Sequence, residues 1–192
     1  MAYLIDRIQE SLAKEGISPR TQKARSWLRQ KISSLNPTSR SLMQDRIRLR
    51  DNSVIGKMYF FFYDPKLKDS LPYYDRFPLV IPIERYQNGF LGLNLHYIHP
   101  KQRIILLDNL SSTLNNANYN ETTKLKINYD YLSRASRAFQ AMPCIKRYLY
   151  SNITSRFLEI SADEWDIAAL LPVENFMGAN STKVYSDSRK KF

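Results

Sequence analysis

Gly56–Asn109, GKMYFFFYDPKLKDSLPYYDRFPLVIPIERYQNGFLGLNLHYIHPKQRIILLDN, is dense in aromatic rings and turn residues, and its reading decides the fold. Met58–Tyr63 is a short aromatic run stopped by Gly56 before it and by Asp64-Pro65 after it. That pattern is the signature of a buried or half-buried strand rather than a helix. Phe77–Ile83 predicts a second strand. Its prolines, Pro78 and Pro82, have no N–H to give to a ladder, which calls for an edge position or a bulge. Gln87-Asn88-Gly89 turns the chain, since Asn and Gly tolerate positive φ. Phe90–Ile98 then returns as a third strand with Leu91, Leu93, Leu95 and Tyr97 along one face. Between the first two strands, Leu71–Pro78 sets Tyr73, Tyr74 and Phe77 between prolines. Rings flanked by fixed-φ residues lose little entropy on ordering, which suits a rigid surface loop.

Upstream of this β unit, Leu4, Ile5, Ile8 and Leu12 recur at helical spacing over Ala2–Glu15, with Gly16 as terminator. Ser18-Pro19 reads as cap and first residue of a second helix, Pro19–Leu35, stopped by Asn36-Pro37. Its apolar stripe is Ala24, Trp27, Leu28, Ile32 and Leu35. Arg20, Lys23 and Lys31 fall on one flank of that stripe, Arg25 and Arg29 on the other. The run Arg46-Ile-Arg-Leu-Arg50 has two readings. Extended, it aims Arg46, Arg48 and Arg50 one way at intervals of about 6.5–7 Å, close to two steps along one DNA strand. Helical from Ser39, it scatters them.

Downstream, Pro100–Leu114 predicts a helix with Ile104, Ile105, Leu107, Leu110 and Leu114 inward. Asn115–Thr122 reads as a polar loop and Leu125–Tyr129 as a short half-exposed strand. Tyr131–Ala141 and Cys144–Tyr150 read as two small helices parted by Pro143, and Arg156–Ile160 as another strand. Ser161 and Glu164 form a capping box that opens a last helix, closed by Pro172. From Gly178 onward apolar residues almost vanish, and a mobile or partner-ordered tail is expected.

The net charge of +11 is unevenly spread. Residues 1–50 hold eleven Lys/Arg against four Asp/Glu, whereas residues 51–110 hold seven against six. Residues 111–160 are again basic, seven against three. Positive charge thus brackets a neutral β unit, which points to a polyanionic partner, nucleic acid above all. A solubilising basic surface, or one that meets an acidic protein, is the alternative. Five glycines in the chain exclude a phosphate-cradling glycine loop. Cys144 is the single cysteine, so no internal disulfide can form, in keeping with assembly in a reducing cytoplasm. No apolar run approaches the roughly 18 residues of a membrane-spanning helix.

Residues that carry chemistry are sparse. His96 and His99 could ligate zinc, but a third ligand is missing from their neighbourhood. Cys144 has basic neighbours, Lys146 and Arg147, that could lower its pKa, yet no histidine stands near it in sequence. Asp64, Asp69 and Asp75 lie in the Pro/Tyr-rich loop and could make a metal-dependent nuclease only by converging. Tyr73, Tyr74 and Phe77, with Arg76 and Lys68 beside them, fit stacking on unpaired bases, anchoring of a protein interface, or plain core packing.

The strings YFFFYDPK, LPYYDRFPLVIPIE and GFLGLNLHYI resemble a family of virion proteins of T-even-like contractile-tailed phages, the DNA end protectors. The resemblance is strongest from Gly56 to about Asn109 and continues more weakly through the C-terminal half. It implies a non-enzymatic virion protein, assembled in the host cytoplasm, that sits on the packaged DNA end at the head–tail junction. Neck, portal or tail proteins would be its neighbours, and no cofactor or metal is implied. A tail or baseplate subunit without DNA contact is the competing expectation, and a small nuclease a third.

The expected fold is α+β: a basic helical arm over residues 1–55, an aromatic-rich domain over 56–177, and a polar tail over 178–192. The domain would hold a small antiparallel sheet or partial barrel and a mixed helical C-terminal part. Candidate DNA contacts are Arg20, Lys23, Arg25, Arg29, Lys31, Arg46, Arg48 and Arg50. Candidate protein-interface residues are Tyr73, Tyr74, Arg76 and Phe77.

Overall fold

The computed structural model describes residues 3–114, 130 and 144–189. Within them the aromatic run and its two following strands join a six-stranded antiparallel sheet. Its members are β1 (Leu49–Arg50), β2 (Met58–Phe60), β4 (Leu79–Tyr86), β5 (Gly89–Asn94), β6 (Ile145–Leu149) and β7 (Phe157–Ile160). The spatial order is β1-β7-β2-β4-β5-β6. A separate two-stranded ribbon pairs β3 (Tyr74–Asp75) with β8 (Phe176–Met177). The sheet is open, not a barrel, and six helices accompany it among the described residues: the fold is α+β.

Strand periodicity sorts the side chains cleanly. Met58, Phe60, Leu79, Ile81, Ile83, Leu93, Leu158 and Ile160 face one side. Against them pack Ile5 and Ile8 of α1 (Leu4–Lys14), Leu28 and Ile32 of α2 (Gln22–Leu35) and Leu42 of α3 (Ser39–Leu42). Further contributions come from Leu107 and Leu110 of α4 (Pro100–Leu114), Ile167 of α5 (Trp165–Leu170) and Val184 of α6 (Ser181–Arg189). The opposite side gathers a second, mainly aromatic cluster of Tyr59, Phe61, Tyr63, Val80, Phe90, Tyr148 and Phe157. Phe61 lies edge-on to Tyr148 and Phe157, with ring centroids 5.3 and 5.2 Å away.

Several expected elements appear where expected. The hairpin β4–β5 turns at Gln87-Asn88, with Tyr86 opposite Gly89. A Cβ on Gly89 would lie 2.0 Å from the Tyr148 carbonyl oxygen, so the approach of β6 requires glycine there. Gly16, at φ +61°, ends α1. Ser161 and Glu164 form the capping box, ahead of α5.

Of the two accommodations expected for its prolines, the second strand uses the bulge: Pro82 stands centrally, between β2 and β5, and a register shift between Pro82 and Glu84 absorbs the missing donor. Other elements differ. The second helix starts at Gln22, not Pro19, because Thr21 accepts the Ala24 N–H and takes the cap. Residues 46–48 form a turn and only Leu49 and Arg50 are extended, so neither reading of the arginine run holds throughout. Cys144–Tyr150 is not helical. Ile145–Leu149 is strand β6, laddered to β5 from Leu93↔Ile145 to Gly89↔Leu149. Ile105 is 62% exposed, while Arg103 and Ile104 before it take the inward positions. After Gly178 the chain forms α6, with Val184 buried against the main core. The loop, strand and helix expected over Asn115–Ala141 lie outside the described residues.

Candidate nucleic-acid interface

The eight basic candidates divide by what their side chains touch. Lys23, Arg29 and Arg46 are exposed, with no carboxylate in salt-bridge range among the described residues. Lys31 is half-buried, its ammonium 5.9 Å from the centre of the Trp27 ring. Arg20 adopts φ +62° and donates to the Ala162 carbonyl at 2.9 Å. Arg50 meets Glu159 at 2.9 Å while staying about half exposed.

Arg25 and Arg48 are turned inward. Arg25 bonds Asp108 of α4 and, at 2.9 Å, Asp166 of α5. Arg48 spans three carboxylates: Asp6 of α1, Asp45 at 2.8 Å, and Glu164. Burial works against the charged guanidinium, but the bonds to Glu164 and Asp6 outweigh it and hold its pKa above the ordinary arginine value. Burial likewise raises the Asp45 carboxyl, with Arg48 opposing. These two arginines join the N-terminal helices to the C-terminal part instead of presenting charge to solvent. Asp6 and Glu164 stand 42 and 116 residues from Arg48 in sequence, beyond any local pattern.

The aromatic candidates divide as well. Phe77 is fully buried and stacks on Phe60, centroids 5.1 Å apart and planes within 5°. Its ring belongs to the core, not to a surface loop. Tyr73 and Tyr74 are half-buried and Arg76 is exposed. Tyr73 leans on Tyr97 at 6.0 Å. With Tyr63, Tyr97, Tyr148 and Lys146 these tyrosines line a recess of about 180 Å³ between the β3–β8 ribbon and β6. The Lys146 ammonium sits 4.5 Å from the centre of the Tyr97 ring.

Two buried polar groups underlie this region. Asp75, on β3, accepts from the Phe77 N–H at 3.0 Å, Asn94 Nδ2 at 3.2 Å and the Asn175 N–H at 3.4 Å, and pairs with His96 Nδ1 at 2.7 Å. Arg103, fully buried, donates to the carbonyls of Ile98, Ala169 and His96, to Glu174 at 2.6 Å and to Tyr185 Oη at 2.8 Å. It ties α4, α5 and α6 together. A signal for it was present, since Arg103, Leu107 and Leu110 share the helical spacing of one inward face.

The sparse chemical candidates do not converge. His96 is buried on Asp75, whereas His99 opens α4, with its ring 5.5 Å from that of Tyr185. Asp64 is exposed and holds Lys68 at 3.0 Å, far in environment from buried Asp75. No group of three or more metal-ligating side chains occurs among the described residues. Burial raises the Cys144 thiol to about 11, which overrides the opposing effect of Lys146.

Residues 4–190 match the family of the phage T4 terminal DNA protecting protein. The chain belongs to that family. The match takes in α1, the whole sheet and α6. The resemblance read from the aromatic strings of Gly56–Asn109 is thereby extended to nearly the entire chain. No curated protein and no solved structure shows a significant match.

Proposed function

We propose that this terminal DNA protecting family member is a non-enzymatic component of the phage particle. It binds the end of the packaged duplex and blocks nucleases there, completing the head where the tail attaches. The observation that carries this reading is uncompensated charge. Lys23, Arg29 and Arg46 are exposed cations without carboxylate partners among the described residues, in a chain of net charge +11. Such side chains contact phosphates without reading sequence, and their binding weakens as salt rises. The exposed apolar side chains Leu67 and Met177 support a second contact, with a neighbouring protein of the head or neck.

The test is exonuclease protection of linear duplex by the purified protein, with a covalently closed circle as competitor. End protection that the circle does not titrate away, falling steeply between 50 and 200 mM salt, is the expected result. Absence of DNA binding at low salt would refute the reading and favour a tail or baseplate subunit. Magnesium-dependent cleavage lost in Asp64→Ala would favour a nuclease.

A further inference from the structure

The recess between the β3–β8 ribbon and β6 has a composition that a phosphate-binding surface does not need. We propose that it takes one unpaired nucleotide at the DNA terminus, with the base among Tyr63, Tyr73, Tyr74, Tyr97 and Tyr148 and the phosphate at Lys146. This rests on the end-binding reading above and adds to it a subsite that tells an end from continuous duplex.

Size supports a single base. The recess is about 180 Å³, and a cavity of roughly 150 Å³ already accepts a benzene ring. A stacked base pair would not fit. Its walls are π faces and edges: Tyr63 meets Tyr148 edge-on at 4.9 Å, and Tyr73 is tilted against Tyr97 at 6.0 Å. Aromatic walls accept any base because each base has a π face, which suits a protein that binds ends without regard to sequence. Tyr63, Tyr97 and Tyr148 are buried and fixed, while Tyr73 and Tyr74 are half-buried and stand nearer solvent.

Charge points the same way. Burial raises the phenols of Tyr63 and Tyr148 above the ordinary tyrosine value, and burial together with a bond to Asp187 raises that of Tyr73, so all three stay neutral beside a phosphate. Among the described residues of the lining the carboxylate is Asp75, whose two oxygens are engaged by Phe77 N–H, Asn94, His96 and Asn175 N–H. Lys146 and Arg147 are cations among the described lining residues, with Arg147 held by Asn88 at 2.9 Å and by the Tyr86 ring.

The experiment compares the full chain on three 20-base-pair probes: a duplex with a single-nucleotide overhang, a blunt duplex, and a dumbbell closed at both ends by base-free ethylene-glycol linkers. Base–aromatic stacking gives roughly 5- to 150-fold per base, so the overhang probe should bind at least fivefold more tightly than the dumbbell. 2-Aminopurine placed in the overhang should lose fluorescence on binding, and the same base inside the duplex should not. Tyr74→Ala and Lys146→Gln should each erase the overhang preference while dumbbell affinity stays unchanged, and Tyr74→Phe should retain it. A wild-type protein that binds all three probes equally, with unquenched 2-aminopurine, would overturn the subsite and leave the end-binding reading to the exonuclease assay. Failure to bind any probe would overturn both. Tyr74→Ala protein that keeps overhang preference but is not incorporated into particles would assign the recess to a protein partner.

Discussion

Replacing Arg48 by methionine separates structural from nucleic-acid-binding arginines. The side chain is 18% exposed, and its partners Glu164, Asp45 and Asp6 are 2%, 5% and 33% exposed. Methionine fills much of the same volume but leaves two nearly buried carboxylates without their cation. Breaking a buried pair by removing one partner costs about 3–5 kcal/mol. The lower end applies because Arg48 retains some solvent and Glu164 keeps its bonds to Ser161 N–H and Oγ, at 3.1 and 2.5 Å. A loss of about 3 kcal/mol lowers Tm by roughly 6–12 °C in a chain of this size. Circular-dichroism melts measure it directly. Arg48→Lys should recover part of the loss, since one ammonium cannot hold three carboxylates in the guanidinium's geometry. Arg46→Met should melt within about 0.5 kcal/mol of wild type, because Arg46 touches no acid among the described residues. In DNA binding the two variants should exchange roles: Arg46→Met lowers the salt slope by about 0.9, and Arg48→Met, assayed well below its Tm, leaves it alone. An Arg48→Met protein with wild-type Tm and a reduced slope would refute this assignment.

Glu174 is held below its ordinary carboxyl pKa: burial pushes it up, but the fields of His96 and Arg103 and the Arg103 bond prevail. A depressed carboxyl stabilises the fold above its unfolded pKa, and that contribution fades as pH falls through the folded value. Wild-type stability should therefore drop on acidification below about pH 4.5, and Glu174→Gln should be less stable at pH 7 with a flatter acid limb in urea titrations. Gly89→Ala puts a methyl 2.0 Å from a backbone oxygen of β6, which must move. The expected result is a loss of several kcal/mol with fast amide exchange confined first to β5–β6, and unaltered exchange there would contradict the ladder.

Local pattern carried the parts of the fold that local physics controls. The β4–β5 hairpin rests on Gln87-Asn88-Gly89, α1 on Ile5, Ile8 and Leu12, and α5 on its Ser161–Glu164 box; each could be read because the signal and the element coincide. Strand β6 could not. Ile145, Tyr148 and Leu149 stand at the i, i+3, i+4 spacing of a helix, and only the ladder to β5 makes the segment a strand. Phe77 looked exposed because prolines flank the loop around it, but its partner Phe60 is supplied by another strand. The basic set was legible as a set, from charge alone. Which arginines keep their charge for solvent depends on carboxylates at Asp108, Asp166 and Glu164, distant in sequence and adjacent only after folding.

Strand β7 lies between β1 and β2, although the chain makes those two strands about a hundred residues earlier. A growing polypeptide therefore carries β2 with one flank unladdered until Phe157–Ile160 leaves the ribosome and slots in. Exposed strand flanks recruit other chains, and pairings this remote in sequence form slowly. A premature stop before Phe157 therefore leaves β2 with an unpaired flank, an adhesive edge and not a shortened working protein.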